Sequence, residues 1–368
     1  MKTKTHRNEI NAESPNFFCE NCRAIYYCSD ECRIASTSGR NGDHDGNACM
    51  RLAEEVSLFE QLVKKTEGGA EDELLGVQES ACNELKRLGV HKHREYRREC
   101  SCFDFVPFGE LVYNELRSVS TYEEYIASEL QYFRKLLRDV NDGDADWVQK
   151  HARVDHLPFS IAQNILKFNL DIIMESSVLR VYIAGCEKEF DTFERVAKKI
   201  YALTSRDDED GDSTRRMEVY FVGPELSKRL HNTVVSFYDG KLQCILLKGL
   251  LGTSAELEGG APPDIVYCPN AGVAIYTFEW HAAVRWCILN AKGRKKGCLM
   301  LFSDYTFEAA WKGYELLLQW IVEQGAEGKT ILPVCENAFK HPTLRKHERV
   351  TTKQVREYSN GFIFGFGT

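Results

Sequence analysis

Six side chains near the amino terminus have the types and the spacing of zinc ligands. They form a C-x2-C pair, a C-x3-C pair and a later imidazole and thiol, namely Cys19, Cys22, Cys28, Cys32, His44 and Cys49. Tetrahedral zinc prefers thiolate and imidazole, and paired ligands on tight turns let a short segment present several of them without a large core. The sequence therefore predicts a structural zinc site with closed coordination, in which no position is left open for water.

The distribution of the other cysteines indicates whether the protein resides in a reducing or an oxidising compartment. The chain has 14 cysteines in 368 residues, and those outside the cluster are scattered singly or in the lone C-x-C of Cys100 and Cys102. No secretory signal peptide precedes them, so we expect reducing, intracellular surroundings, either mitochondrial or cytoplasmic. The basic amino terminus is followed by Glu9 and Glu13, whereas mitochondrial presequences are poor in acidic residues.

Net charge and hydropathy narrow the classes of partner. The net charge of −8 and the isoelectric point near 5.8 disfavour the broad positive field that non-specific nucleic-acid binding needs. Three basic stretches, at 91–98, 292–296 and 340–349, are interpreted as solvated surface charge. No apolar run approaches the ~18 residues of a membrane-spanning helix, so we expect no membrane span.

The spacing of the central cysteines resembles that of a MYND-type zinc finger. The pattern C-x2-C-x4-Tyr-C-x3-C runs from Cys19 to Cys32, with Tyr27 in the aromatic position and Ser29 directly after Cys28. The family pattern has four ligand pairs cross-braced around two zinc ions, and this sequence looks like the second, third and fourth pairs. The resemblance implies a finger that holds protein partners.

The resemblance also implies which ligands share a metal ion. Cys19 and Cys22 would share one zinc with His44 and Cys49, which completes a Cys3His set. The C-x3-C pair would need a first C-x2-C pair upstream, where the chain offers only His6. We therefore expect a truncated finger, whose second site is half-built unless the true start lies further upstream.

The elements after the finger divide the chain into three parts. Residues 50–66 carry apolar side chains at helical spacing, which suits a helix that closes the finger, and a polar break follows at 67–73. Helical patterns then cover 74–99 and 121–140, the second with an apolar stripe that we interpret as ordinary core. The first predicted part, at 1–66, is the finger with its closing helix. The second, at 67–150, is a linker with a helical segment, and the third, at 151–368, is the α/β domain.

From residue 178 onwards, short β-rich apolar runs alternate with helical patterns. Continuous apolar strands separated by helices are typical of a mainly parallel sheet covered on both faces, so the sequence predicts a Rossmann-like α/β domain. The predicted strands lie at 178–184, 217–222, 233–237, 264–268 and 298–302, and the predicted helices lie near 188–203, 278–290 and 305–325.

In such a sheet, ligands bind beyond the carboxyl ends of the strands. The first strand is followed by Gly185-Cys186-Glu187 and not by G-x-G-x-x-G, so the backbone lacks the glycines that let a cofactor come close. We therefore expect neither a dinucleotide nor S-adenosylmethionine. Cys268-Pro269 is a dipeptide of the kind that binds haem in some regulatory proteins. Four residues of strand-end turns could face a cleft, namely Asn270, Gly272, Ser303 and Asp304.

Several short motifs resemble the carboxyl-terminal domain of the mitochondrial splicing suppressor 51-like proteins. In chain order they are HLPFSI from His156, LRVYIAG from Leu179, VYFVGPEL from Val219, PDIV from Pro263 with NAG from Asn270, NAFKHP from Asn337 and YSNGFIFGF from Tyr358. The resemblance covers roughly residues 150–368 and implies a Rossmann-like domain without demonstrated catalysis. Fungal members of that family act in mitochondria as translational activators and assembly factors for cytochrome oxidase subunit 1.

The leading hypothesis from the sequence is a non-enzymatic zinc-finger adaptor or regulator. The finger would present a groove to an extended or proline-containing peptide of a protein partner, and the α/β domain would supply a second docking surface. A link to mitochondrial gene expression or respiratory-complex assembly follows from the resemblance. The alternative is a diverged methyltransferase-like enzyme or a small-molecule sensor, for example of haem, that uses the strand-end loops.

Overall fold

A computed structural model gives the fold of the chain. The residues that the structure describes are 17–19, 21–22, 26–27, 34, 44, 46–66, 111–113, 155–165, 177–204, 216–253, 261–291, 297–326, 329–337, 339–341, 343–345 and 359–368. The helical patterns predicted at 74–99 and 121–140 lie outside this part of the chain.

The amino-terminal module consists of two short strands and one helix. Strand β1 (Phe17–Phe18) pairs antiparallel with β2 (Tyr26–Tyr27), and helix α1 covers Gly46–Thr66. The helix begins four residues before the predicted start at 50, so its first turn includes Cys49. Leu52 and Val56 are buried one turn apart on the helix face that packs against Cys22.

The rest of the described chain is dominated by one eight-stranded sheet. Its strands are β4 (Val178–Ala184), β5 (Arg216–Gly223), β6 (Thr233–Phe237), β7 (Leu242–Lys248), β8 (Ile265–Cys268), β9 (Leu299–Asp304), β10 (Lys329–Glu336) and β12 (Phe362–Gly367). A separate antiparallel pair joins β3 (Leu111–Tyr113) to β11 (Thr343–Arg345).

The strand order in the large sheet is β10-β12-β9-β8-β4-β5-β7-β6. The five central strands β7, β5, β4, β8 and β9 run parallel, which is the 3-2-1-4-5 order of a doubly wound Rossmann sheet. Strands β6 and β12 run antiparallel to their neighbours at the two sides. The predicted Rossmann-like domain is therefore confirmed as a mixed, mostly parallel α/β sheet.

Helices cover both faces of this sheet. Helix α2 (155–165) lies on one face with α3 (Phe193–Thr204), while α4 (Thr277–Ala291) and α5 (Phe307–Glu323) lie on the other. Strand β4 contributes side chains to the apolar core on each face of the sheet. Val181 and Ile183 point to the α3 face, and Tyr182 points to the α4 face. Two layers of helices thus enclose a sheet that is apolar on both sides.

The predicted strands match observed strands of the large sheet closely, but three strands of that sheet were missed. Strand β10 contains Pro333, and β12 contains Gly365, both of which weaken a strand pattern. Gly365 is needed for close pairing, since a Cβ there would lie 2.6 Å from the carbonyl oxygen of Met300 on β9. The prediction also missed β7, although its buried positions alternate over most of its length.

Within the described ranges, each helix is either too short or too polar to cross a bilayer.

Candidate metal centre and the carboxyl edge of the sheet

Four of the six predicted ligands meet in the amino-terminal module. The donor atoms of Cys19, Cys22, His44 and Cys49 all lie within 4.8 Å of one another. Sγ of Cys19 lies 3.5 Å from Sγ of Cys49, and Sγ of Cys22 lies 3.6 Å from Nε2 of His44. The structure thus brings together one Cys3His set.

These distances fit a single tetrahedral zinc ion. With Zn–S bonds of about 2.3 Å and a Zn–N bond of about 2.0 to 2.1 Å, tetrahedral geometry puts two sulfurs ~3.8 Å apart and a sulfur and a nitrogen ~3.6 Å apart. The observed separations of 3.5 Å and 3.6 Å lie within about 0.3 Å of these values. Four thiol and imidazole donors at this spacing could hold a metal ion. Zinc prefers such donors, whereas calcium and magnesium take oxygen ligands.

Each ligand is positioned by a different short element. Cys19 follows directly after β1, Cys22 lies in the turn after it, and His44 lies in a turn two residues before α1. Cys49 lies in the first turn of α1, so the helix itself contributes one of the four donor atoms. Cys22 and His44 are buried, whereas Cys19 and Cys49 are partly exposed.

The thiols of this site cannot all ionise together in the absence of a cation. Burial acts to raise the pKa of Cys19, but hydrogen bonds from the backbone of Cys22 and from the His44 side chain outweigh it and lower that pKa to about 6. The pKa of Cys49 is raised to about 12 by burial, by its hydrogen bond with Cys19 and by the neighbouring thiolate charges. A divalent cation resolves this conflict, because metal binding displaces the remaining protons.

The other predicted ligands, Cys28 and Cys32, lie outside the described residues, as do Cys100 and Cys102. The second zinc site that the finger pattern implies therefore stays a prediction.

The second region of interest is the carboxyl edge, by which we mean the loops that follow β4, β5, β7, β8 and β9. The chain winds from β4 to β5 and β7 on one side and then to β8 and β9 on the other, so the topological switch point lies between β4 and β8. In open α/β sheets ligands bind in the crevice at this point. The residues on either side of it are Gly185 and Pro269.

At the switch point the indole of Trp280 lies against Gly185. Gly185 has a φ of +81°, and a Cβ there would lie 3.1 Å from the indole ring, so another residue would strain the backbone and crowd the indole. Nε1 of Trp280 donates a hydrogen bond of 2.6 Å to the carbonyl oxygen of Ala271. A ligand that approaches Gly185 from this side has to displace the indole.

The four predicted strand-end residues build the edge. The backbone N–H of Asn270 donates to Oγ of Ser303 at 2.9 Å, and Asp304 is buried, with one carboxylate oxygen accepting from the N–H of Tyr305 at 2.8 Å. Gly272 has a φ of +54°. Hydrogen bonds within the chain thus occupy several of the donors and acceptors of these residues.

Cys268 does not offer the accessible thiolate that a haem iron needs. The side chain is completely buried in the core between the sheet and α4. Burial raises its pKa well above the usual range, so the thiol stays protonated.

A buried hydrogen-bonded cluster lies behind the carboxyl edge, and we call its members Ser160, Tyr267, Asn337 and Asn360 the polar node. The hydroxyl of Tyr267 donates to Oδ1 of Asn360 at 2.6 Å. Oγ of Ser160 accepts from Nδ2 of Asn360 at 2.7 Å and from Nδ2 of Asn337 at 2.9 Å. All four side chains are buried, so the node holds the 155–165 helix, β8 and the start of β12 together.

The polar node unites residues from motifs that are far apart in sequence. Ser160 belongs to HLPFSI, Asn337 to NAFKHP and Asn360 to YSNGFIFGF. Asn270 of the NAG motif joins the node, because its Oδ1 accepts from the backbone N–H of Asn360 at 2.5 Å. Sequence reasoning did not identify the node, although Asn and Ser beside strongly apolar runs were the signal for it.

Three large apolar side chains are exposed in the segment between the carboxyl end of β8 and the first turn of α4. Ile275, Tyr276 and Phe278 are 66%, 56% and 79% exposed. They follow the turn at Asn270 and precede Trp280, so they border the switch point.

Comparisons with known proteins give only distant structural likenesses. No family model matches the chain, and no curated protein matches it. MNMC2 from Aquifex aeolicus matches with a TM-score of 0.30 and 10% identity over 58% of this chain, and the chain spans only 60% of that structure. A putative class I S-adenosylmethionine-dependent methyltransferase from Listeria monocytogenes matches with a TM-score of 0.33 and 11% identity, over 80% of this chain and 88% of that one.

One expectation from the sequence is corrected here. We expected a protein that is not an enzyme, and this is contradicted by structural neighbours that include a putative methyltransferase. At these TM-scores, neither likeness carries an argument about a reaction or a substrate. A role for the carboxyl edge therefore rests on the geometry of this chain alone.

Proposed function

We propose that the chain binds a structural zinc ion through Cys19, Cys22, His44 and Cys49. The observation that carries the proposal is the convergence of their four donor atoms within 4.8 Å, with separations that suit a zinc tetrahedron. Four protein ligands fill all four positions, so this ion has no open position for a water or a substrate. It holds a module whose described residues bury few apolar side chains.

The module belongs, in this proposal, to the MYND type and serves to bind a protein partner. Support comes from the C-x2-C-x4-Tyr-C-x3-C spacing and from the helix that begins two residues after His44 and contains Cys49. The partner segment would be an extended or proline-containing peptide, and the α/β domain would offer a second docking surface. Mitochondrial gene expression or respiratory-complex assembly is the setting that the family resemblance suggests.

Metal analysis of the full chain, purified under reducing conditions, tests the zinc site. We expect at least one zinc ion per chain, and we expect Cys22→Ser to lower the content by one because it removes a buried ligand. Cys335→Ser is the matched control, since Cys335 is a partly exposed thiol on β10, outside the metal site. Protein without zinc, or equal zinc losses in both variants, would refute the proposal.

A second candidate function is the binding of a small molecule at the carboxyl edge, as in a diverged methyltransferase-like enzyme. The observation that favours it is the strand order, which creates a switch point between β4 and β8. The exposed Ile275, Tyr276 and Phe278 beside this point offer apolar surface to a flat ligand. Trp280 would have to move to admit a ligand to Gly185.

A thermal-shift panel with S-adenosylmethionine, nucleotides and haem tests this candidate. A ligand that binds only the folded state must raise the melting temperature, by mass action. Trp280→Ala opens the crevice over Gly185, so a switch-point ligand should raise the melting temperature of this variant more than that of the wild type. If no compound shifts either protein, the candidate fails for these ligand classes.

A further inference from the structure

The amino-terminal module contacts the α/β domain through Arg51. Nε of Arg51 lies 3.2 Å from one carboxylate oxygen of Glu308, and its second guanidinium nitrogen lies 3.4 Å from the other oxygen. The guanidinium also lies 4.7 Å from the centre of the Trp311 ring. Both contact residues are on α5, so one side chain of α1 holds a carboxylate and an aromatic face of the other domain.

The same turn of α1 belongs to the metal site. Cys49 is a proposed ligand, and Leu52 is buried against Cys22 next to Arg51 in sequence. Successive positions on a helix face different directions, so Leu52 can face the metal site while Arg51 faces α5. The position of Arg51 therefore depends on how firmly the metal holds the start of α1.

The contacted part of α5 lies next to the carboxyl edge. Helix α5 begins at Phe307, three residues after the end of β9, and its N-terminal cap is Thr306. Phe307 contacts Phe362 of β12 with ring centres 5.8 Å apart, and Trp311 contacts Phe307 at 5.9 Å. A displacement of Arg51 can thus reach the residues that border the edge through direct side-chain contacts.

We propose that occupancy of the zinc site is coupled to the first turns of α5 through the contact of Arg51 with Glu308 and Trp311. The coupling rests on the proposed zinc binding and adds that the metal also positions the module against the carboxyl edge. Such coupling is reciprocal, so weakening the contact on α5 must weaken zinc binding by the same factor.

Zinc affinity of a variant in the α/β domain tests the coupling. Glu308→Gln removes the carboxylate that binds Arg51, without altering any residue of the module. We expect its zinc dissociation constant, measured by competition with a chelator at constant salt, to rise roughly five-fold. Glu323→Gln is the matched control, because Glu323 lies at the other end of the same helix, accepts a hydrogen bond from Nε2 of Gln319 at 2.7 Å and should leave zinc affinity unchanged.

Amide hydrogen exchange measures the coupling in the other direction. In the wild-type chain, removal of zinc should speed exchange in the first turns of α5, and in Glu308→Gln exchange there should already be fast and insensitive to zinc. The coupling alone is overturned if the wild-type chain carries zinc but Glu308→Gln and Glu323→Gln bind zinc with equal affinity, or if exchange in α5 does not change when zinc is removed. A wild-type chain that carries no zinc overturns the proposed function and the coupling together.

Discussion

The amino-terminal module and the α/β domain are stabilised by different means. The described core of the module consists of Cys22, Leu52 and Val56, with partly buried neighbours that include two of the proposed zinc ligands. The α/β domain buries a large apolar cluster on each face of an eight-stranded sheet. Small cores seldom stabilise a fold without a metal or a disulfide, whereas a sheet covered on both sides needs neither.

The comparison contrasts a region organised by metal-ligand side chains with a region organised by apolar packing. Among the described residues of the module, polar donor atoms converge and the apolar contacts are few. In the domain, the polar side chains of the node are buried inside an apolar frame and hydrogen-bond to one another. Metal removal should therefore damage the first region selectively, and loss of a buried hydrogen bond should damage the second.

Zinc removal has the largest expected effect. In finger peptides zinc contributes ~10 to 16 kcal/mol, far more than three buried side chains can replace. Chelation should raise amide exchange in α1 by roughly a hundred-fold or more while exchange in β4 and β8 stays unchanged. Hydrogen-exchange mass spectrometry measures both regions in one sample. Protection of α1 that survives chelation would show that packing, and not metal, holds the module.

The polar node provides the next largest effect. Asn360→Ala leaves the buried Tyr267 hydroxyl without its acceptor and places alanine at a φ of +59°, so we expect a loss of about 2 to 4 kcal/mol in the free energy of unfolding. Asn232→Ala is the matched control, because Asn232 has a φ of +62° but is exposed, and it should cost only about 1 kcal/mol. Urea denaturation measures both, and equal losses would mean that the node contributes little.

The pH dependence of zinc affinity is the smallest effect. At neutral pH the metal-free site has an ionised Cys19, with a pKa of about 6, and a protonated Cys49, with a pKa of about 12, so zinc must displace at least the Cys49 proton. Affinity should therefore rise with pH, by about ten-fold per unit for each proton released. Chelator competition between pH 6.5 and 8.5 measures the slope, and a flat profile would exclude thiol deprotonation as part of binding.

Much of the fold could be predicted from local patterns. Strands such as β4 are continuous apolar runs, which identify strands buried on both faces without any tertiary information. Strands β10 and β12, at one side of the sheet, could not be predicted in this way, since they contain Pro333 and Gly365, weak strand formers that pairing with neighbouring strands accommodates. The position of β12 between β9 and β10 depends on contacts between distant parts of the chain.

The candidate site was predictable to the extent that its ligands lie close in sequence. The C-x2-C pair pointed directly to Cys19 and Cys22, and the structure places His44 and Cys49 beside them. The polar node could not be found in the same way, because Ser160 and Asn360 are 200 positions apart. The contact between Arg51 and Glu308 was equally invisible, since a salt bridge leaves no local pattern in either helix.

X-ray absorption at the zinc edge tests the central claim most directly. The sample is the full chain with Cys28→Ser and Cys32→Ser, which removes the two cysteines of any second site and leaves the described Cys3His set intact. We predict one zinc ion per chain, with three sulfur ligands at about 2.3 Å and one nitrogen ligand at about 2.0 to 2.1 Å. A chain without zinc, or a zinc ion with a different set of ligands, would contradict the account.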